Sequence, residues 1–361
     1  MKNLLIVIES LGTGGAEKAL VNFIKRFYTR YNCYVLVYSE KDNYYARDIE
    51  MLATVRYVLP KYMRKMAKIV KYINPSLLYL SSVKRIFKDI EFDVELAYLE
   101  GIATKIVSGS NANSKKIAWV HCDFSNNHWC AHYYKSYQEE KSSYKKFNSI
   151  FFVTERQKES FSRYWNIKEE LYVIPNFLDI NLIRELAEEN VEPINRPYIC
   201  AIGSLKPVKG FDLLIDAFFV FSKCNSDCHL YILGKGYLES KLKEKIVAYN
   251  LDKRVHIIGF QSNPYKYIKN SIGLIQTSRS ESFGYVLLES AILGKRVVAT
   301  KTVGAIEIRN KYYRNLELID HNLSSIVDGL NYLNFNKGEL SYKVSFSNED
   351  IFNEIDFRLS N

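Results

Sequence analysis

Apolar and polar positions along this 361-residue chain follow two periods in turn, and the order in which they alternate is regular. Residues 3–9 form an apolar, β-branched run of strand length, 10–15 hold three glycines, and from Ala16 the pattern changes. Ala16, Ala19, Leu20, Phe23, Ile24 and Phe27 recur at helical spacing, which predicts a helix with one buried face. A second strand over 33–38 follows at once and completes a β-α-β unit. Further strands are predicted over 94–99, 116–120, 149–153 and 171–174, separated by helix-length segments as a parallel sheet requires.

Near Pro175 and Asn176 this first pattern ends. Residues 184–197 are charged and polar and contain Pro193 and Pro197, which predicts the interdomain connection there. A second alternation then starts: strand 198–202, helix 211–221, strand 229–233, helix 238–249, strands 255–258 and 272–276, helix 284–293 and strand 296–300. Two open parallel α/β sheets in tandem are expected, with ligands beyond the carboxyl ends of their strands. The expected boundaries are a first domain over 1–185 and a second over 186–345. A polar tail follows, with a short helix near 348–359, and packing of 346–361 back onto the first domain is one option.

Composition narrows the class. With 47% apolar and 25% charged residues the chain has enough side chains for two cores, which excludes a disordered tail or a small disulfide scaffold. No apolar run approaches the ~18–20 residues of a membrane span. Glu9 interrupts the short apolar stretch 4–8, so a signal peptide is not expected. The six cysteines (Cys33, Cys122, Cys130, Cys200, Cys224, Cys228) show no paired framework and are expected as free thiols in the cytoplasm.

The net charge of +10 is uneven, with 27 basic against 19 acidic residues over 1–180 and 23 against 21 over 181–361. Between 51 and 88 nine basic residues (Arg56, Lys61, Arg64, Lys65, Lys68, Lys71, Lys84, Arg85, Lys88) meet no acid. Tyr57, Tyr62, Met63, Met66, Ile69, Tyr72, Leu77, Leu78 and Tyr79 are interleaved, the composition of a surface that adheres to anionic lipid headgroups. A solvated helix face explains the stripe equally well, and nucleic acid is a competing partner.

Three segments offer chemistry. Gly12-Thr13-Gly14-Gly15 joins a strand to a helix, where glycines allow close backbone approach and the helix N-terminus attracts an anion. It is neither a Walker A loop nor a full GxGxxG, and a plain tight turn accounts for it equally. Residues 203–210 again join strand to helix and carry Ser204, Lys206 and Lys209, the lysines able to reach a diphosphate as point charges. Ordinary solvated lysines are the plainer alternative. Glu281 precedes a third helix start at Gly284, Tyr285 and Val286, and Glu289 lies inside that helix among apolar neighbours, where a carboxylate needs a partner. Charge beside a helix dipole accounts for Glu281 and a buried salt bridge for Glu289 in the simpler reading. His121, Cys122, Asp123, His128, Cys130 and His132 crowd together, but their spacings match no standard zinc pattern. Phe124, Trp129, Tyr133, Tyr134 and Tyr137 suggest an aromatic loop for an acceptor instead.

In order and spacing, several short motifs together resemble retaining glycosyltransferase family 4. They are Gly14-Gly15-Ala16-Glu17, Trp119-Val120-His121, Val173-Ile174-Pro175-Asn176, Gly203-x6-Gly210 with Lys209, Leu233-Gly234-x-Gly236, Gly259-Phe260, and Glu281-x7-Glu289. The resemblance implies an α/β GT-B fold, with two Rossmann-like doubly wound parallel-sheet domains facing a central cleft. It further implies that Lys209 neutralises the donor phosphates, Gly14 and Gly15 lie near diphosphate or acceptor, and Gly259 and Phe260 meet the nucleotide base. Gly284, Tyr285 and Val286 would hold the diphosphate, Glu289 the ribose, Glu281 the transferred sugar, and His121 would line the reaction centre. Ser204 stands where the family usually has Arg, with Lys206 as a possible substitute cation, and the region after residue 303 matches poorly.

The expected function is transfer of a hexose or N-acetylhexosamine, with retention, from a nucleotide sugar, UDP-sugar favoured. The expected acceptor is a membrane-linked glycan in bacterial surface polysaccharide or lipopolysaccharide synthesis, at the inner face of the cell membrane. No metal or other cofactor is expected, since the sequence contains no Asp-x-Asp. Two rivals are a catalytically silent sugar-nucleotide-binding subunit, argued from Ser204, and a nucleic-acid-binding protein using the basic stripe.

Overall fold

The structure is a computed structural model that describes residues 1–40, 43–59, 70, 72–124, 128–167, 170–190, 196–336 and 344–360. The chain forms two compact units, Met1–Leu178 together with Ser347–Asn361, and Asp179–Phe346.

The first unit is built on β1 (Lys2–Ile8), β2 (Tyr31–Ser39), β3 (Thr54–Leu59), β4 (Val94–Tyr98), β5 (Lys115–Val120), β6 (Ser149–Phe152) and β7 (Leu171–Val173). They form one parallel sheet in the order β3-β2-β1-β4-β5-β6-β7. Strands buried on both faces need no polar alternation, which is why 3–9 reads as a continuous apolar run. Leu5, Val7, Ala97, Ala118, Val120 and Phe152 face one core with Ile102, Ile106, Phe161 and Trp165. On the other face Phe23 of helix Gly15–Phe27 packs edge-on against Trp119. The strand order reverses between β1 and β4, the switch point at which open α/β sheets bind ligands.

β3 was not expected from the pattern, because Arg56 interrupts the short apolar run Thr54-Val55-Arg56-Tyr57. It is an edge strand with only Val55 fully buried, so its apolar signal is diluted. Of the nine stripe residues, Lys61, Arg64, Lys65, Lys68 and Lys71 lie outside the described residues. Lys84 closes a π-helical turn that continues the short helix Pro75–Tyr79, and Leu77 and Leu80 are more than half exposed beside it.

The helix Asn348–Ser360 belongs to the first unit. Phe352 stacks on Phe27 with ring centroids 4.9 Å apart, and Arg358 lies 3.6 Å over the Tyr172 ring. Ile355 and Leu359 are buried, and the Leu178 amide donates to the Asn348 side chain at 3.1 Å.

The second unit holds β8 (Tyr198–Ile202), β9 (His229–Leu233), β10 (Val255–Gly259), β11 (Gly273–Gln276), β12 (Val297–Thr300) and β13 (Glu317–Ile319), parallel in the order β10-β9-β8-β11-β12-β13. Its switch point lies between β8 and β11. The division between units falls at Leu178, ahead of the 185/186 boundary expected from composition. The reason is the amphipathic helix Ile180–Ala187, capped by Asp179, which buries Ile183 and Ala187 in the second unit. Asn263 further ties it there by donating to the Leu186 carbonyl at 2.7 Å. Residues 191–195, within the expected connection, lie outside the described residues. The short β13 and the helix Leu323–Phe335, which covers one face of this sheet, were also not anticipated.

Candidate active site

In the second unit the loops after β8 and β11 flank the switch point and bring together residues far apart in sequence. Gly203–Gly210 leaves β8, turns through a single 3-10 turn (Pro207–Lys209), and enters helix Phe211–Ser222. Gly210 sits at φ +68, and a Cβ there would stand 2.1 Å from the Thr277 carbonyl oxygen. Only glycine lets the β8 and β11 loops approach so closely. The Thr277 hydroxyl donates to the carbonyls of Lys209 and Gly210, 3.2 Å each, and locks the approach.

That contact delivers the Lys209 ammonium to the Glu281 carboxylate at 2.5 Å, each side chain about one-fifth exposed. Gln276, at the end of β11, donates to the same carboxylate oxygen at 3.4 Å. Gly284, with φ +87, caps helix Tyr285–Ile292 at its N-terminus with no side-chain cap, and a helix N-terminus of this kind attracts an anion. Glu289 is 4% exposed and accepts from the Tyr265 hydroxyl at 3.0 Å.

The remaining cations differ in state. Lys206 is exposed, and among the described residues its ammonium has no ion pair. Arg279, which sequence reasoning passed over, is held in a two-pronged contact with Asp212 at 3.0 and 2.8 Å. The guanidinium's hydrogen bonds hold the Asp212 carboxyl below its usual range. Ser204 is half-exposed on the β8 loop, Gly259 ends the edge strand β10, and Phe260 follows it.

In the first unit Gly14 and Gly15 are exposed at the start of the 13-residue helix Gly15–Phe27. The Glu17 carboxylate folds back over that helix end, 2.2 Å from where a Gly14 Cβ would stand. His121 follows β5 and is 9% exposed, with Nδ1 3.3 Å from the Trp119 carbonyl and Nε2 3.2 Å from the Asn176 side chain. Burial pushes its pKa down, while the nearby Glu100 charge pulls it up. Both ring nitrogens thus face oxygen acceptors, the Trp119 carbonyl and Asn176 Oδ1, and a neutral ring donates to one of them.

Glu100 is the residue that the sequence did not disclose. It is 2% exposed, accepts from the His121 amide at 2.9 Å and from the Trp129 indole at 2.7 Å, and so fixes the segment that carries the histidine. It stands between Leu99 (φ 126) and Gly101 (φ 83) in a strained turn at the end of β4. An acid directly after a buried strand was the available signal.

The aromatic loop expected near His121 is mostly core. Phe124, Tyr133 and Tyr134 are 3–6% exposed, and Phe124 packs among Tyr144, Phe161 and Trp165. Trp129 and Tyr137 alone of that set retain substantial exposure. The crowded His/Cys/Asp segment also separates: Asp123 accepts from Ser160 at 2.9 Å, and the His132 ring contacts the Trp129 carbonyl at 2.8 Å. Among the described residues no helix is long and apolar enough to cross a membrane.

Two parallel sheets, each with polar residues at the carboxyl ends of strands beside a switch point, define a two-domain α/β protein with the GT-B fold. Residues 183–342 match the family Glycosyl transferases group 1. The N-acetylgalactosamine-N,N'-diacetylbacillosaminyl-diphospho-undecaprenol 4-alpha-N-acetylgalactosaminyltransferase of Campylobacter jejuni is 24% identical over 307 residues, 83% of this chain and 81% of its own. The poly(ribitol-phosphate) alpha-N-acetylglucosaminyltransferase of Staphylococcus aureus is 24% identical over 272 residues, 74% of this chain and 52% of the other. In fold, the chain is similar to Anabaena HepE, solved in complex with UDP and glucose, with a TM-score of 0.79 at 19% identity over 100% of both chains. Residues 183–342 thus carry the sequence pattern of the group 1 glycosyltransferases, and the chain as a whole has a two-domain GT-B fold.

Proposed function

We propose that this enzyme transfers a hexose or N-acetylhexosamine from a UDP-sugar, with retention of anomeric configuration, to a lipid-linked glycan acceptor in bacterial surface polysaccharide synthesis. The observation that carries the reading is the Lys209–Glu281 pair beside the N-terminus of helix Tyr285–Ile292. Departure of UDP from the sugar leaves negative charge on the diphosphate. An ammonium and oriented backbone amides stabilise that charge where it develops, and they do so with no metal ion. In this reading Glu281 exchanges its ammonium partner for hydroxyls of the transferred sugar when the diphosphate arrives. Glu289 takes the ribose, and Gly259 and Phe260 meet the base.

The first unit takes the acceptor, with His121 at the reacting sugar and Gly14 and Gly15 close by. The names of the Campylobacter and Staphylococcus relatives, an undecaprenol diphosphate glycan and a poly(ribitol phosphate), support a surface-glycan acceptor. UDP in the Anabaena protein supports the uridine donor. Docking on anionic lipid through the basic stripe would bring the enzyme to such an acceptor at the inner membrane face.

The test is transfer from a panel of UDP-hexoses and UDP-N-acetylhexosamines to a lipid-diphosphate oligosaccharide, with the product linkage read by NMR. An α-linked product from an α-donor is expected. A β-linkage would refute retention, and UDP binding without UDP release from any donor would favour the silent-subunit alternative that Ser204 suggests.

A further inference from the structure

We propose that His128, Cys130 and Glu140 form a zinc(II) site in the first unit, separate from the residues assigned to glycosyl transfer. Among the described residues this is the one group of three or more His, Cys, Asp or Glu side chains whose ligand atoms all lie within 4.8 Å of one another. His128 Nε2 is 3.0 and 2.9 Å from the two Glu140 oxygens, and Cys130 Sγ is 3.4 Å from Oε1. A tetrahedral zinc with bonds of about 2.0–2.3 Å sets its ligand atoms about 3.3–3.7 Å apart, so a few tenths of an ångström of separation admits the ion. Imidazole, thiolate and carboxylate together suit zinc better than magnesium or calcium, which favour all-oxygen sites.

The surroundings are those of a built site. Cys130 and Glu140 are 0% and 1% exposed, so the cluster is buried on all but the histidine side. The second ring nitrogen of His128 is 3.2 Å from the Tyr164 hydroxyl, which fixes the ring with Nε2 inward, as outer-shell partners of metal-bound histidines do. Tyr144 lies four residues after Glu140 in helix Tyr137–Tyr144, hence on the same helix face. Its hydroxyl is buried and, among the described residues, has no hydrogen-bond partner, which leaves a donor for a water or hydroxide in the fourth position.

The site escaped sequence counting because Glu140 comes from the helix after the crowded segment. On binding, the thiol and the His128 Nε2–H give up their protons to solvent and zinc takes their place. The ion then clamps the 3-10 turn Trp129–Tyr133 to the helix Tyr137–Tyr144.

The full-length chain, purified without a polyhistidine tag and dialysed against a metal-scavenging resin, is titrated with zinc and with cobalt. About one equivalent of zinc, a raised Tm with zinc, and a thiolate-to-cobalt charge-transfer band are expected. Cys130→Ser should abolish the band, and Tyr164→Phe should weaken zinc binding by about 10–100-fold while leaving the ligands in place. Cys224→Ser and His256→Gln control for the exposed thiol and for the His229–His256 pair, and should change nothing. The proposal fails if the wild type binds no zinc, if cobalt gives no thiolate band, or if binding survives Cys130→Ser and His128→Gln. In each of those cases the three side chains form a metal-free ion pair. The wild-type cobalt spectrum decides the matter even where a variant does not fold, and no outcome depends on transferase activity.

Discussion

The Lys209 ammonium and the Glu281 carboxylate are 2.5 Å apart although 72 residues separate them. Without ligand, the acid occupies the cation on which the diphosphate chemistry depends. The two residues should therefore respond differently to truncation. Lys209→Ala is expected to weaken UDP binding and to cut transfer by about 10–1,000-fold. Glu281→Ala is expected to cut transfer by a similar factor while UDP binds as well as before or better, because the ammonium is released. Calorimetric UDP affinities beside turnover rates for both variants check this, and near-normal rates in both would remove the site assignment.

The close approach at Gly210 should tolerate no side chain. Gly210→Ala places a methyl against the Thr277 carbonyl at a φ of +68, so the β8 and β11 loops must separate. A loss of about 1–3 kcal/mol in folding stability is expected, together with a loss of UDP affinity. Urea unfolding and UDP titration measure the two effects.

His121 should stay neutral through the physiological range. Burial lowers its folded pKa, so the unfolded chain takes up the proton first as pH falls. The histidine's contribution to stability is then fully present above the unfolded pKa of about 6.5 and is lost below it at up to about 1.4 kcal/mol per pH unit. Replacing His121 by Gln should flatten that part of the stability curve. Glu100→Gln should lower the His121 pKa further, visible in the ring resonances, since it removes the charge that opposes burial.

The final helix should be part of the first unit's stability. Ile355 is 0% exposed, and Ile355→Ala is expected to cost about 2–5 kcal/mol. A chain ending at Phe346 should lose more, through the Phe27–Phe352 stack and the buried Leu359. Unfolding monitored separately in the two units should show the loss in the first and not in the second.

Membrane docking through the basic stripe should be electrostatic. Charge reversal at Lys61, Arg64, Lys65 and Lys68 is expected to release the protein from vesicles containing anionic lipid, while transfer to a soluble acceptor continues. Equal sedimentation of variant and wild type with such vesicles would refute the membrane proposal. Salt-sensitive RNA or DNA binding in place of lipid binding would assign the stripe to nucleic acid.

Local pattern by itself determined the class of this protein: two successive parallel α/β sheets, glycine turns between strand and helix, Lys209, Glu281 and His121 on strand ends or helix starts, and Glu289 inside a helix. Periodicity and turn chemistry are properties of a few neighbouring residues, so they are legible before folding. Tertiary structure decided everything that depends on which strands lie side by side. It paired Lys209 with Glu281 across the switch between β8 and β11, and it set Glu100 beneath the backbone of His121. It brought Glu140 to His128 and Cys130, turned most of the expected aromatic loop into core, and drew helix Ile180–Ala187 into one unit and Asn348–Ser360 into the other. Winding order and burial fix such contacts, and neither is written in the spacing of residues along the chain.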